Sequence, residues 1–393
     1  MSFTGRYLKS PIEHDALAAG KMAWISGPRQ VGKTTLAKSL MESPENYGSW
    51  DNSAFRKLWA TGADAWVEKR GPGPLVLDEI HKDRRWKTRL KGLFDHWGPQ
   101  EGIVVTGSAR LDIFKRGGDS LMGRYFPYRL HPFSVAEDVT PPGPDEIGNY
   151  TRARFQWNDL LALSGFPEPL LAGNHAKALR WSRLRRERLV REDVRDLRAI
   201  SDLRALEVLT DLLATRAGGL LSINSLREDV GVAYATVRDW VGLLEALYFC
   251  ILLRPYSGRL SRALKAEPKL YVFDPILIQP ENKGAQLENL AALHLLKACQ
   301  FWTDTAQGEF DLRYIRDKEK REVDFLVLRD RKPWMLVECK TTEKDPHPNL
   351  IHFSKMLGTK KNFQLVHQKG FDREYPALNT RVLDYEKFFS GWV

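Results

Sequence analysis

The sequence predicts an α/β fold that opens with a parallel sheet carrying helices on both faces. Two observations lead there. Three short apolar runs, "MAWIS" (22–26), "PLVLDEI" (74–80) and "GIVVTGS" (102–108), each end in polar residues or glycine. Helical patterns such as "KTTLAKSLME" and "KTRLKGLFDHWG" lie between them, and this alternation builds parallel sheets. A third observation adds a second, mixed α/β region. The helical pattern "LENLAALHLLKACQ" (287–300) precedes four strand-like segments, "DLRYIRD", "EVDFLVL", "WMLVECK" and "NFQLVH".

The remaining elements follow in order. A further strand is expected near "YFPYRLHPF" (125–133). "EDVTPPGPDEIG" (137–148) reads as a linker because Pro, Gly and acids interrupt regular structure. From about 155 to 215 the pattern is helical, with a break expected at "SGFPEPLLAG" (164–173). Residues 203–256 read as a helix-turn-helix. One helix ends at a Gly pair, and a short second one is capped by Ser222 or Asn224 and closed by Gly231. A third then runs into a strand. That order places the third helix to enter a DNA groove, with Ala233, Tyr234 and Arg238 at its exposed start. The alternative is a module that only packs against protein. The division expected is 1–136, 137–200, 201–280 and 281–393.

At 393 residues the chain is too long for one typical domain. No apolar stretch approaches the roughly 20 residues that span a bilayer, and the N-terminus lacks the apolar core of a secretory signal. The 3 cysteines, Cys250, Cys299 and Cys339, stand far apart without metal-ligand spacing, so a reducing compartment, the cytoplasm, is expected and no membrane association. The net charge of +10 is compatible with a nucleic-acid partner. Much of it is concentrated in "KALRWSRLRRERLVREDVRDLR" (177–198), which could equally be a solvated helix face.

"GPRQVGKT" (27–34) fits G-x-x-x-x-G-K-[ST] without exception, with a strand before it and a helix after. Glycines let the backbone wrap a phosphate so that its N–H groups face the oxygens. Gly27, Arg29, Gln30, Val31, Gly32, Lys33, Thr34 and Thr35 form the expected nucleotide cradle. Lys33 reaches the β- and γ-phosphates, and the Thr34 hydroxyl ligates Mg²⁺. "LVLDEI" ends its strand in Asp78-Glu79, where Asp78 completes the Mg²⁺ shell and Glu79 orients the attacking water. Thr106 and Ser108, in "VVTGS", close the next strand within reach of the γ-phosphate. Arg110, Arg116 and Arg124 are candidate arginines for that phosphate, Arg124 being preferred. Together these make a P-loop NTPase, with ATP the expected nucleotide because no guanine-reading motif is present.

At these residues the chain resembles the bacterial and archaeal AAA-type (AAA+) ATPases that carry a C-terminal domain of unknown function. "GPRQVGKTTL", "LDEIHK", "TGSARLD", "SLMGRYFPYRLHPFS" and "REVDFLV…ECK" carry the resemblance, which covers nearly the whole chain. It implies a P-loop NTPase sheet with a helical lid, a winged helix, and a mixed α/β restriction-endonuclease-like domain. It also implies a ring-like homo-oligomer, a hexamer favoured, whose sites borrow an arginine such as Arg124 from the neighbouring subunit.

A nuclease of the PD-(D/E)xK type needs an acid on a helix, an Asp on one strand and Glu-x-Lys on the next. Here Glu288, Asp324, Glu338 and Lys340 stand in that order. Glu338 and Lys340 share a face because strand side chains alternate. The acids would bind Mg²⁺ or Mn²⁺ and the lysine would stabilise the developing phosphorane. The expected function is a Mg²⁺-dependent ATPase acting on DNA. The alternatives are a nucleotide-controlled switch or scaffold binding a protein partner, and an ATP-gated metal-dependent nuclease.

Overall fold

The structure is a computed structural model that describes residues 5–68, 70–107, 121–137, 140–148, 153–194, 202–257 and 266–393. The chain forms two compact units. The first runs through Pro132 with a short return near 140–141, and the second comprises Phe133–Glu137 and Pro142–Val393.

The first unit is a five-stranded parallel sheet: β1 (Met22–Ser26), β2 (Tyr47–Ser49), β3 (Leu75–Asp78), β4 (Ile103–Gly107) and β5 (Tyr125–Arg129), in the order β2-β3-β4-β1-β5. The three apolar runs and the expected fifth strand all lie in this sheet. The three-residue β2, "YGS", carries no apolar run of its own and was not anticipated. β1, β3 and β4 are buried along their whole length, as in a sheet covered on both faces. The helices of this unit include, after a helical segment at residues 9–17, α1 (Lys33–Lys38), α2 (Ser53–Thr61), α3 (Ala63–Val67) and α4 (Trp86–Glu101). Trp24, Trp59, Trp66, Leu77, Trp86 and Val105 pack one core between sheet and helices.

The second unit begins with α5 (Trp157–Leu163), α6 (Pro167–Ala172) and α7 (His175–Arg188). The break expected at 164–173 is there at 164–166 and again at 173–174, with the short helix α6 between. Pro167 occupies its first turn, where the missing N–H costs nothing, and Gly173 closes it at φ 62°. Then come α8 (Leu203–Thr215), α9 (Ile223–Val230), α10 (Tyr234–Ala246) and an antiparallel hairpin of β6 (Cys250–Leu253) and β7 (Lys269–Val272). Gly231 ends α9 at φ 76°; Ser222 stands at its N-cap without a side-chain cap bond. The long α11 (Lys283–Asp304) is capped by the Asn282 side chain on Ala285 N–H.

A six-stranded mixed sheet completes the unit: β8 (Phe310–Arg316), β9 (Glu322–Arg329), β10 (Lys332–Lys340), β11 (Lys361–Val366), β12 (Asp372–Tyr375) and β13 (Thr380–Asp384), in the order β12-β13-β11-β10-β9-β8. The helices α12 (Pro348–Leu357) and α13 (Tyr385–Ser390) belong with it. Phe133–Glu137 is held in this unit by a buried ion pair, Lys297 Nζ to Glu137 at 2.6 Å, with Ser134 Oγ accepting from the same ammonium at 2.7 Å. From Pro142 onward the expected stretches 137–200, 201–280 and 281–393 therefore share one compact unit.

Candidate functional site

The glycine-rich loop leaves the C-terminal end of β1, the edge where open α/β sheets bind ligands. Gly27 has φ 152°, and a Cβ there would lie 2.3 Å from the Leu130 carbonyl oxygen, so no larger residue fits. Gln30 (φ 65°) and Gly32 (φ 99°) turn the loop into α1. Lys33 is buried, and its Nζ donates to the Gly27 and Pro28 carbonyls at 2.9 and 2.8 Å, curling across the loop. Arg6 fastens the loop from outside, donating to the Val31 carbonyl at 2.8 Å and to the His131 carbonyl. Arg29 is half-buried, while Gln30 and Thr35 are exposed.

Asp78 is the centre of the site. Its Oδ2 accepts from Thr34 Oγ1 at 2.9 Å and from Tyr47 OH at 2.8 Å, and its Oδ1 accepts from Thr106 Oγ1. The sequence brought Thr34 and Asp78 together correctly. It assigned Thr106 to the γ-phosphate, whereas here that hydroxyl holds the carboxylate. Tyr47 was missed, because β2 has no sequence signature; burial first, then the bond to Asp78, pushes its hydroxyl up to about 12. Thr34 and Asp78 present the hard oxygens that Mg²⁺ prefers, already adjacent.

Glu79 follows at φ 54°, a left-handed conformation that a non-glycine residue holds only under constraint. Its N–H donates to the Thr106 carbonyl at 3.1 Å. Burial raises its carboxyl above the ordinary range, against the pull of Lys33 and Lys82. His81 Nε2 lies 3.4 Å from Glu79 Oε2, and burial lowers its imidazole to about 4, so it faces Glu79 as a neutral ring.

Arg124 is not brought to this loop within the chain. β5 runs parallel to β1 with Tyr125 opposite Met22 and Arg129 opposite Ser26, so Arg124 stands at the opposite edge of the sheet. At about 3.3 Å per residue, that edge is roughly 16 Å from the loop end. There Arg124 pairs with Asp95 at 2.8 and 3.1 Å. Ser108, Arg110 and Arg116 lie outside the described residues.

In the second unit the four nuclease-type residues do converge. β9 and β10 are paired with Val337 opposite Phe325, which sets Glu338 beside Asp324. Glu338 Oε2 accepts from Asp324 N–H at 3.3 Å, Asp324 Oδ2 from Cys339 N–H at 2.9 Å, and Lys340 pairs with Glu338 at 2.9 Å. The centre of the cluster, however, is Lys269 of β7. Its Nζ contacts Glu322 Oε1 at 2.7 Å, Glu288 Oε1 at 2.8 Å and Asp324 Oδ1 at 2.9 Å. Lys269 thus adds a second compensating charge beside Lys340. Burial would lower the Lys269 ammonium, but Asp324, Glu288 and Glu322 outweigh it and raise it well above its usual range. Burial, then the neighbouring Asp324, pushes Glu288 up to about 7 and Glu338 up to about 8. Among the described residues no group of three or more His, Cys, Asp or Glu side chains has the arrangement of a metal site. One oxygen from each of three acids, Glu322, Glu288 and Asp324, turns to the Lys269 ammonium. Glu322 was legible, standing two residues before Asp324 on the same strand face. Lys269, 55 residues from Asp324, was not.

Tyr234 is 46% exposed at the first residue of α10, and the exposed Arg238 pairs with its neighbour Asp239 at 3.1 Å. On the basic helix α7, Arg180 and Arg183 face solvent, whereas Arg185 is buried with its guanidinium 4.1 Å from the Phe166 ring centre. The solvated-face reading of that stretch therefore holds for Arg180 and Arg183 but not for Arg185. Among the described residues no helix is long and apolar enough to cross a membrane. Cys250, Cys299 and Cys339 form no disulfide.

Comparison with known proteins agrees with the first unit's geometry. Residues 19–139 match the family model described as an AAA domain. Residues 154–279 and 283–383 match two models described as domains of unknown function (DUF8612 and DUF4143). Uncharacterized proteins of Mycobacterium bovis and Mycobacterium tuberculosis are each 23% identical over 317 residues, spanning 76% of this chain and 68% of the relative. The N-terminal region is thus similar to AAA domains, and it folds as a parallel α/β sheet with a glycine-rich loop after its first strand.

Proposed function

We propose that this chain is a Mg²⁺-dependent ATPase that works on DNA. The observation that carries the ATPase half is the set of three hydroxyls, Thr34, Tyr47 and Thr106, gathered on Asp78 beside the glycine-rich loop. Bound Mg²⁺ would neutralise charge on the phosphates during transfer. Thr34 and Asp78 would hold it, with Tyr47 and Thr106 fixing the carboxylate so that little reorganisation is needed. Lys33 would exchange its loop carbonyls for the β- and γ-phosphate oxygens. Glu79, whose carboxyl burial raises above the ordinary range, would orient the attacking water and accept its proton.

The DNA half rests on the basic chain, on the arrangement of α8, α9, α10 and the β6–β7 hairpin as a winged helix, and on exposed Tyr234 and Arg238 at the start of α10. A helix start bearing an aromatic and an arginine suits phosphate and base contacts. An ATPase assay with no nucleic acid, single strand, duplex, branched junction and RNA tests both halves. Turnover lost in Lys33→Ala and raised by one DNA form is expected. Hydrolysis that survives Lys33→Ala refutes the site. Turnover indifferent to every nucleic acid refutes the DNA role and favours a switch that binds a protein partner.

A further inference from the structure

We propose that the Lys269 ammonium is the resident cation of the carboxylate cluster, and that this cluster is a joint fastening the β6–β7 hairpin to the C-terminal sheet rather than a metal-dependent cutting site. An ammonium has three N–H donors. Lys269 finds an acceptor for each, on Glu322, Glu288 and Asp324. These contacts have N–H···O lengths, whereas Mg²⁺ demands oxygens at about 2.0–2.1 Å in a near-octahedral shell.

Asp324 and Glu322 engage their second oxygens as well. Asp324 Oδ2 accepts from Cys339 N–H, Glu322 Oε2 from Arg316 at 3.1 Å, and Glu338 from Lys340 and the Asp324 N–H. Glu288 Oε1 also accepts from Tyr271 OH at 2.7 Å. Drawing them onto a metal would break most of these bonds.

Lys269 is not a mobile surface side chain. Its side chain is 5% exposed. Its strand is pinned on one edge by β6 and on the other by the turn after α8: Gly218 N–H donates to the Leu270 carbonyl at 2.7 Å and Leu270 N–H to the Gly219 carbonyl at 2.9 Å. Lys269 and Tyr271 alternate onto the face that meets Glu288. Next to them Asn289 of α11 binds both the N–H and the carbonyl of Val272, at 2.8 and 2.9 Å. Strand β7 is thus tied to α11 and β9 by charge, hydroxyl and amide. An open cleft of about 750 Å³, bordered by Arg216, Gly218, Asn282, Gly284 and Glu288, reaches the cluster at Glu288, where an added cation can compete.

The test measures Mn²⁺ binding to the full chain without nucleotide, in the wild type, Lys269→Met, and Lys269→Met with Asp324→Asn. Little wild-type binding is expected, with one Mn²⁺ gained by Lys269→Met and lost again in the double variant. Wild-type Mn²⁺ binding that Asp324→Asn abolishes overturns the proposal. So does a folded Lys269→Met that gains no Mn²⁺ and melts as the wild type does. Should Lys269→Met fail to fold, amine acylation of the wild type, read by peptide mass spectrometry with and without millimolar Mn²⁺, decides. Lys269 is expected to react far more slowly than the exposed Lys355 in both conditions. Reaction at the Lys355 rate, or uncovering by Mn²⁺, overturns it.

Discussion

Asp78 is 7% exposed, yet three hydroxyls donate to it, so its burial is offset locally rather than by a distant charge. Each hydroxyl comes from a different part of the sheet edge: Thr34 from the loop, Tyr47 from β2, Thr106 from β4. Removing one should weaken the metal position without unfolding the sheet. Tyr47→Phe deletes one hydrogen bond worth about 1 kcal/mol, so the Mg²⁺ concentration for half-maximal hydrolysis should rise about fivefold. An unchanged Mg²⁺ dependence would show that Tyr47 only packs. Glu79 acts on the reaction itself. Glu79→Gln should keep ATP bound while turnover falls by about 10²–10⁴, and Lys33→Ala should bind no ATP. Filter binding with labelled ATP separates these outcomes, and wild-type turnover in Glu79→Gln would remove Glu79 from its role.

Glu288 of α11 and Glu338 near the end of β10 make the meeting of this helix with β9 and β10 pH-sensitive. Glu288 and Glu338 stand at about 7 and 8 in the folded chain against 4.5 ordinarily, with burial the leading cause. The folded state therefore holds more protons than the unfolded one between about pH 4.5 and 8. Stability must fall as pH rises through that window and level off above it. Hydrogen-exchange protection of β9 and β10 amides, corrected for the intrinsic rate, should decline from about pH 5 to 8. Glu338→Gln should flatten the upper part of the decline. Protection that rises with pH would mean that the lysines, not burial, govern these carboxyls.

Two expectations belong to the whole molecule. DNA binding should be steeply salt-dependent, because lysines and arginines displace counterions from phosphates; affinity should drop several-fold or more between about 50 and 200 mM salt. Arg238→Ala in the full chain should weaken binding across sequences and shallow that slope. Affinity that ignores both salt and Arg238 would exclude α10 as the contact. The second expectation is assembly. Arg124 sits away from its own loop, so a role at a γ-phosphate requires a neighbouring subunit. Light scattering of Glu79→Gln with ATP should then show a closed oligomer, a hexamer favoured. Arg124→Ala should reduce turnover while leaving ATP binding intact. A monomer under those conditions would leave Arg124 as the surface partner of Asp95.

By itself the sequence determined what depends on neighbours along the chain. The loop at 27–34, the strand ending in Asp78-Glu79, the parallel sheet and the alternation of Glu338 with Lys340 all follow from local spacing and apolar periodicity. Those signals survive in one dimension because the chemistry needs consecutive residues. Only the tertiary structure decided which partners meet. Tyr47 reaches Asp78 because β2 pairs in parallel with β3. Arg124 misses the loop because β5 is also parallel, which sends its first residue to the far edge. Lys269 enters the carboxylate cluster from a hairpin 55 residues before Asp324. An E-x-K pattern reads the same whether its acids face a metal or an ammonium. The difference lies in a third strand's side chain, and no spacing along the sequence encodes that contact.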